Sequence, residues 1–261
     1  MLHYKSEGNG PLVVLLHGFP EFWYSWRKQM PALAAAGFRA VAPDLPGYNE
    51  SPKPQEIDAY TIPRVAAEVA KFIESLNERC VLVGHDWGGF VSWFLAMTRP
   101  DLIRKLVILN VPHPVPLQRE VRRSTRQKLK LSYQLFFRLR ALPEFVMKTY
   151  GPILLKRAGR FTPEDIARYR QAWRGSLKTM IHYYRAVPRG SKEMRSQIQK
   201  IEMPALLIWG ERDPVFLRET TENFEDWVPN LRVERIARAG HFVQTDAPDR
   251  VNELLIDFCK Q

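Results

Sequence analysis

Cysteine is scarce in this chain. Two residues in 261, Cys80 and Cys259, are too few for a disulfide framework. Buried, inert thiols in a reducing compartment are the expectation. Long apolar runs are missing too: nothing approaches the ~20 consecutive residues that cross a bilayer. The opening "MLHYKSEGNG" holds no apolar segment and no small-residue cleavage site, so no secretory leader and a cytoplasmic location are expected. Internal repeats, low-complexity tracts and the glycine fingerprint of dinucleotide binding are absent. The six histidines lack ligand spacing with cysteines or carboxylates. Neither a metal nor a cofactor is therefore expected.

What is present is a globular composition: 45% hydrophobic residues, with 7 Trp and 14 Phe to fill a core. The net charge of +11 is unevenly spread, because residues 117–200 hold 21 Lys and Arg against 5 acids while the remainder is mildly acidic. A basic block inside an acidic frame suggests an inserted subdomain. Outside it, strand and helix alternate. "PLVVLLHG", "FRAVAPD", "RCVLVG", "IRKLVILN", "PALLIWG" and "LRVERI" read as short buried strands. Between them, "SWRKQMPALAAAG", "IPRVAAEVAKFIESL" (capped by Thr61), "WGGFVSWFLAMTRP" and "PDRVNELLIDFCK" read as helices. The expected class is α/β, a mostly parallel sheet with helices on both faces. The block from Pro112 to Lys200 is helical ("SYQLFFRLRAL", "PEDIARYRQAW", "MIHYYRAV") and is read as a cap over the carboxyl ends of the strands. The core is then 1–111 and 201–261, and the cap 112–200.

The stretch "GHDWGG" places Asp86 between a strand and a helix, in the G-x-nucleophile-x-G form of a tight elbow. Asp213 in "WGERDP" and His241 in "RAGHFVQTDAP" follow in the order nucleophile, acid, histidine. Upstream, "HGFPE" offers a backbone N–H at Phe19, and Trp87 offers another, for an oxyanion hole. His17 and His85 sit in the two turns, not in the loop that presents a base. Asn110 excludes an alternative acid after "LVIL". A lone aspartate in a turn is usually a turn former; the ordered set argues for catalysis.

A carboxylate, with an ordinary pKa of about 3.9, is already anionic at neutral pH and needs no base to arm it. Toward an acyl carbonyl it would form an unstable anhydride. Toward saturated carbon bearing a leaving group it forms an alkyl ester, which water activated by His241 and Asp213 can cleave at the carboxyl carbon. The leaving group is then a halide or an epoxide oxygen. The latter becomes a strongly basic alkoxide and calls for an acid still protonated at neutral pH, such as tyrosine. The cap offers Tyr133 in "LSYQLFF" and Tyr183 and Tyr184 in "HYYR".

Taken together, "HGFPEFWYSW", "GHDWGGFVSW", "SYQLFF", "YYR", "GERDPV" and "AGHFVQTDAP" resemble the soluble-type epoxide hydrolases of the α/β-hydrolase superfamily over nearly the whole chain. The resemblance implies a small-molecule epoxide substrate and an oxygen gripped by two cap tyrosines, which match Tyr133 and Tyr184. It also implies a cis peptide at Phe19-Pro20. "FFRLRALPE" departs from the pattern at Arg138, as do His182 and Tyr183, which bears on substrate preference. Haloalkane dehalogenases share the Asp-Trp elbow but pair that Trp with an Asn where this chain has Phe19. Fluoroacetate dehalogenases carry Arg in place of Trp87. Haloalkane or haloacid dehalogenation stays the alternative. Trp87, Phe19 and Trp23 are expected to shape the pocket.

The basic block raises the question of anionic partners. No nucleic-acid motif appears, so none is expected. "REVRRSTRQKLKLSYQLFFRLRAL" is patterned as a membrane-surface helix would be. The preferred reading is a solvated outer cap face with its apolar side on the pocket. Monomer and homodimer are both left open.

Overall fold

The computed structural model describes residues 1–261. Seven strands form one sheet: β1 (Tyr4–Glu7), β2 (Leu12–Leu16), β3 (Arg39–Pro43), β4 (Cys80–His85), β5 (Ile103–Leu109), β6 (Ala205–Gly210) and β7 (Leu231–Ile236). Their spatial order is β1-β3-β2-β4-β5-β6-β7, and every pairing is parallel except that of β1 with β3. The α/β class is as expected, with one strand more than the sequence suggested. The extra strand, β1, is exposed along its whole length and carries no apolar run to announce it.

Alternation along the strands separates two packed layers, because successive strand side chains point to opposite faces. From β2, Leu12, Val14 and Leu16 face one layer, and Val13 and Leu15 the other. The first layer receives α2 (Ile62–Ser75) and α3 (Trp87–Thr98); the second receives α1 (Gln29–Ala35) and α11 (Pro248–Lys260), which follows the short α10 (Val243–Asp246). Thr61 occupies the N-cap position of α2, but its hydroxyl turns back to the Asp58 carbonyl instead of capping. The sheet changes direction of growth at β2, flanked by β3 and β4, so the loops after β2 and β4 meet at the switch point where such sheets bind ligands.

Between β5 and β6 lie six helices: α4 (Pro114–Arg123), α5 (Thr125–Leu131), α6 (Tyr133–Phe137), α7 (Leu142–Ala158), α8 (Pro163–Ala172) and α9 (Leu177–Ser196). This insertion is consistent with a cap. Two of its helices run through residues that usually break them. α7 continues through Gly151 and Pro152, and α9 through Pro188, which has no N–H to give to the Tyr184 carbonyl. In α7 the glycine is a packing requirement, because a Cβ there would come within 2.9 Å of the Trp173 ring. The insertion is tied to the core by polar contacts. Trp173 Nε1 donates to the Pro20 carbonyl (2.6 Å), and Arg27 Nη2 pairs with Asp165 (2.8 Å). From α5, Lys130 Nζ donates to the Pro214 carbonyl (2.7 Å).

Candidate active site

Asp86 sits between β4 and α3 with φ 50° and ψ −120°, a conformation sparsely populated by L residues. Such strain recurs at functional sites and is held there by the surrounding structure. Here the surroundings are close. A Cβ on Gly88 would fall 2.3 Å from the Leu16 carbonyl oxygen, and one on Gly18 would fall 2.3 Å from Asp86 Oδ1. Only glycine lets the β2 and β4 loops approach this far. The Phe19-Pro20 bond between them is cis, as the resemblance implied.

The Asp86 carboxylate is buried and its two oxygens face different partners. Oδ1 accepts from the Phe19 backbone N–H at 2.6 Å, while Oδ2 lies 3.5 Å from His241 Nε2. Trp87 holds the first helical position of α3, which directs its own N–H toward the elbow's open end. Burial would raise the Asp86 pKa, but the His241 hydrogen bond and charge and the Phe19 N–H outweigh it, holding the carboxyl below its ordinary 3.8.

On the far side of the ring, His241 Nδ1 donates to Asp213 Oδ2 at 2.9 Å. The Asp213 Oδ1 atom accepts from the N–H groups of Val215 (2.6 Å) and Phe216 (3.0 Å). Burial would raise Asp213, but the His241 charge and these donors keep it below its ordinary value. For His241, burial favours the neutral ring, yet Asp213 and Asp86 on either side push its pKa up to about 10. The imidazole is thus held between two anions. Sequence order and spatial order agree for this set.

The other two elbow histidines are occupied. His17 Nε2 accepts from the Leu45 N–H (3.0 Å) while Nδ1 donates to the Gly18 carbonyl (3.0 Å), and burial lowers its pKa. His85 Nε2 donates to the His241 main-chain carbonyl at 2.9 Å. Its Nδ1 lies 3.2 Å from Glu21 Oε2, which also accepts from Gln244 Nε2 (3.1 Å); Tyr169 donates to the other Glu21 oxygen (3.0 Å). This buried network beneath His241 was not read from the sequence. Nor was the part played by Asn110, whose Nδ2 donates to Asp213 Oδ2 at 2.7 Å. Its position at the carboxyl end of β5, between the strands bearing Asp86 and Asp213, was the available signal.

Near Asp86 the helical insertion places an aromatic cluster. The Tyr184 ring lies edge-on to Trp87 (5.0 Å) and Phe19 (5.2 Å), stacks on Phe137 (4.6 Å), and stands 6.0 Å from the Tyr133 ring. Burial raises both phenol pKa values, and the nearby Asp86 charge adds to the effect, so both hydroxyls keep their protons. The neighbouring Tyr183 donates its hydroxyl to the Pro46 carbonyl at 2.8 Å, whereas no main-chain carbonyl takes that of Tyr184. A largely apolar cavity of about 290 Å³ opens beside Trp87, walled by Phe90, Leu117, Leu131 and Val187. Trp87 lines it; Phe19 instead supports the aromatic cluster. Trp23 stands apart from both. Its ring packs on Phe22 and Tyr24 with Lys5 over its face, and it is not among the residues that line the cavity.

No group of three His, Cys, Asp or Glu side chains is arranged to hold a metal ion. Cys80 is buried among the strands, and burial pushes its thiol up to about 12.

Residues 11–248 match the family model described as alpha/beta hydrolase fold. The AB hydrolase superfamily protein YfhM of Bacillus subtilis (strain 168) is 37% identical over 271 residues, covering 99% of this chain and 94% of that one. Epoxide hydrolase 4 of Homo sapiens is 35% identical over 277 residues, covering 99% and 75%. Among solved structures, an epoxide hydrolase of Bacillus megaterium in complex with an inhibitor superposes with a TM-score of 0.91 at 32% identity, covering 100% of this chain and 97% of that one.

Proposed function

The chain belongs to the epoxide hydrolases of the alpha/beta hydrolase fold, and from that premise we propose that it opens epoxides to vicinal diols through an ester on Asp86. One observation carries this reading: a buried carboxylate has a histidine–aspartate pair on one side and two protonated phenols on the other. In this reading residues 112–200 form the cap and the rest the catalytic core.

Asp86 Oδ2 is the oxygen free of the Phe19 N–H, and it attacks a ring carbon of the epoxide. The carbon–oxygen bond breaks, and the departing oxygen takes a proton from Tyr133 or Tyr184 while the other phenol donates a hydrogen bond. Esterification removes the Asp86 charge. One of the two anions that raise the His241 pKa disappears at that moment, so the ring gives up the proton it carries at rest to the phenolate and stands neutral when a base is needed. His241 Nε2 then deprotonates a water that attacks Cγ of Asp86. The oxyanion forms on Oδ1, already within 2.6 Å of the Phe19 N–H, and the Trp87 N–H supplies the second donor. Collapse expels the diol oxygen, which takes the proton held by His241. The new carboxylic acid then passes the remaining water proton to His241, which restores the resting carboxylate and imidazolium.

The apolar cavity beside Trp87 fits an epoxide with a hydrophobic body. Dehalogenation is favoured by one observation only, the buried Trp87 Nε1–H without a hydrogen-bond partner, a donor that could cradle a halide. A single turnover in heavy-oxygen water tests the proposal. Label should enter the Asp86 carboxylate while the first diol carries the oxygen of the protein. Label in the first diol with an unlabelled Asp86 would overturn it. Release of bromide from a bromoalkane, with no diol from an aryl epoxide, would establish the dehalogenase.

A further inference from the structure

Apart from Met1 and Tyr4, every large apolar side chain that the fold leaves exposed lies between residues 129 and 154 of the cap. α7 shows how this arises. Its buried face repeats every fourth residue, at Pro143, Met147, Gly151 and Leu155. The opposite face is apolar as well, with Leu142, Phe145 and Ile153 separated by three and eight residues, so that all three fall on one side of the helix. A helix with a single packing partner needs a single apolar stripe, and a second one predicts a second partner. Phe145 is 61% exposed and Ile153 52%; Leu135, on α6, is 62% exposed.

The surroundings of this ridge are cationic. Residues 138–160 hold six Lys and Arg against the single Glu144, and Arg185 already engages both oxygens of that glutamate. An open hollow of about 720 Å³, lined by Arg138, Arg140, Lys178 and Arg185, borders the start of α7. A second, of about 910 Å³, lies beside Phe145 and is lined by Lys148, Arg170 and Arg174. Apolar side chains beside cations, of which Arg138, Arg140, Lys148, Arg170 and Arg174 make no ion pair, match a bilayer with anionic headgroups: the chains enter the acyl boundary and the cations meet phosphates. A second copy of this chain fits less well, because it would bring two strongly basic caps face to face.

We propose that the outer face of α6 and α7 docks on anionic phospholipid membranes. The inference is independent of the chemistry at Asp86. It also gives the cap a place in substrate access, since Leu131 and Gln134 wall the apolar cavity while the adjoining Leu135 faces outward.

The test is co-sedimentation of the full chain with vesicles of phosphatidylcholine alone or mixed with phosphatidylglycerol, at low and high salt. Binding is expected to the mixed vesicles only, and salt should weaken it. The double substitution Phe145→Asp with Ile153→Asp should reduce partitioning by roughly tenfold or more while the melting temperature stays that of the parent. A charge variant, Arg138→Glu with Lys148→Glu, should do the same by a separate route. Failure to bind mixed vesicles, or binding undiminished in both variants, would overturn the proposal. So would a dimer in vesicle-free solution that the aspartate pair dissociates, which would assign the ridge to a second copy.

Discussion

Asn110 joins two strands of the sheet to the acid of the triad. Its Nδ2 donates to Asp213 Oδ2 at 2.7 Å, and its Oδ1 accepts from the Gly210 N–H at 2.8 Å. The oxygen it holds is the same one that accepts from His241 Nδ1. In the proposed mechanism Asn110 is therefore a positioning residue: it holds the carboxylate that holds the ring.

Asn110→Ala should remove one hydrogen bond to a buried anion, worth about 1.5–3 kcal/mol, and slow turnover by roughly 10- to 100-fold. KM should change little, because Asn110 does not line the cavity. Steady-state kinetics with an aryl epoxide reads this split. Asn110→Asp would place a second carboxylate beside Asp213 and should shift the pH profile rather than merely lower the rate.

Asp86→Ala should abolish turnover. His241→Gln should still form the ester and then stall, because the nucleophile is anionic without help while the water is not. Intact-protein mass after mixing should show an adduct of the substrate's mass in the His241 variant and none in the Asp86 variant.

Losing a general acid costs roughly 10²–10⁴-fold in rate. Tyr133→Phe and Tyr184→Phe should each slow ring opening by less than that, since one phenol remains, and the double variant should approach the full loss. Tyr183→Phe should leave the rate near that of the parent and lower the melting temperature, because its hydroxyl is committed to the Pro46 carbonyl. Single-turnover ester formation followed by mass spectrometry separates these cases.

The pH dependence of stability follows from the same triad. Folded His241 holds its proton up to about pH 10, whereas an unfolded histidine releases it near its ordinary 6.5. The stabilisation is complete below pH 6.5 and is lost as pH rises toward 10. Asp86 and Asp213 act in the opposite sense: their depressed values stabilise the fold above about pH 3.8, and that contribution is lost on acidification. Melting temperature should therefore be highest between about pH 4 and 6.5 and decline toward pH 9, and His241→Gln should flatten the alkaline decline.

The triad was legible because each member stands at a strand end in the order the architecture demands, and strands of β-branched residues announce themselves. Other features were hidden for identifiable reasons. β1 is exposed residue by residue and holds no apolar run, so no side-chain pattern reports it. α7 is masked by Gly151 and Pro152, and the fit of Gly151 against Trp173 is visible only once the partner is in place. Asn110 was considered only as an acid that was missing, although its amide bridges the acid that is present. Trp23 lies at the edge where both layers meet and packs against each of them, away from the residues that line the cavity. The stretch from Arg119 to Leu142 was read as one-sided, and it proves apolar toward the cavity and toward solvent alike.

Both rims of the sheet are ionic. β1 ends in Lys5 and Glu7, and β7 carries Arg232 paired to Glu234 at 2.8 Å, with Arg250 of α11 completing the cluster at 3.5 Å. A neighbouring molecule that tried to extend the ladder would have to strip water from those groups. The molecule thus resists fibre-like stacking at its margins and keeps its adhesive surface elsewhere, so crowding should drive encounters through the cap before it drives strand exchange.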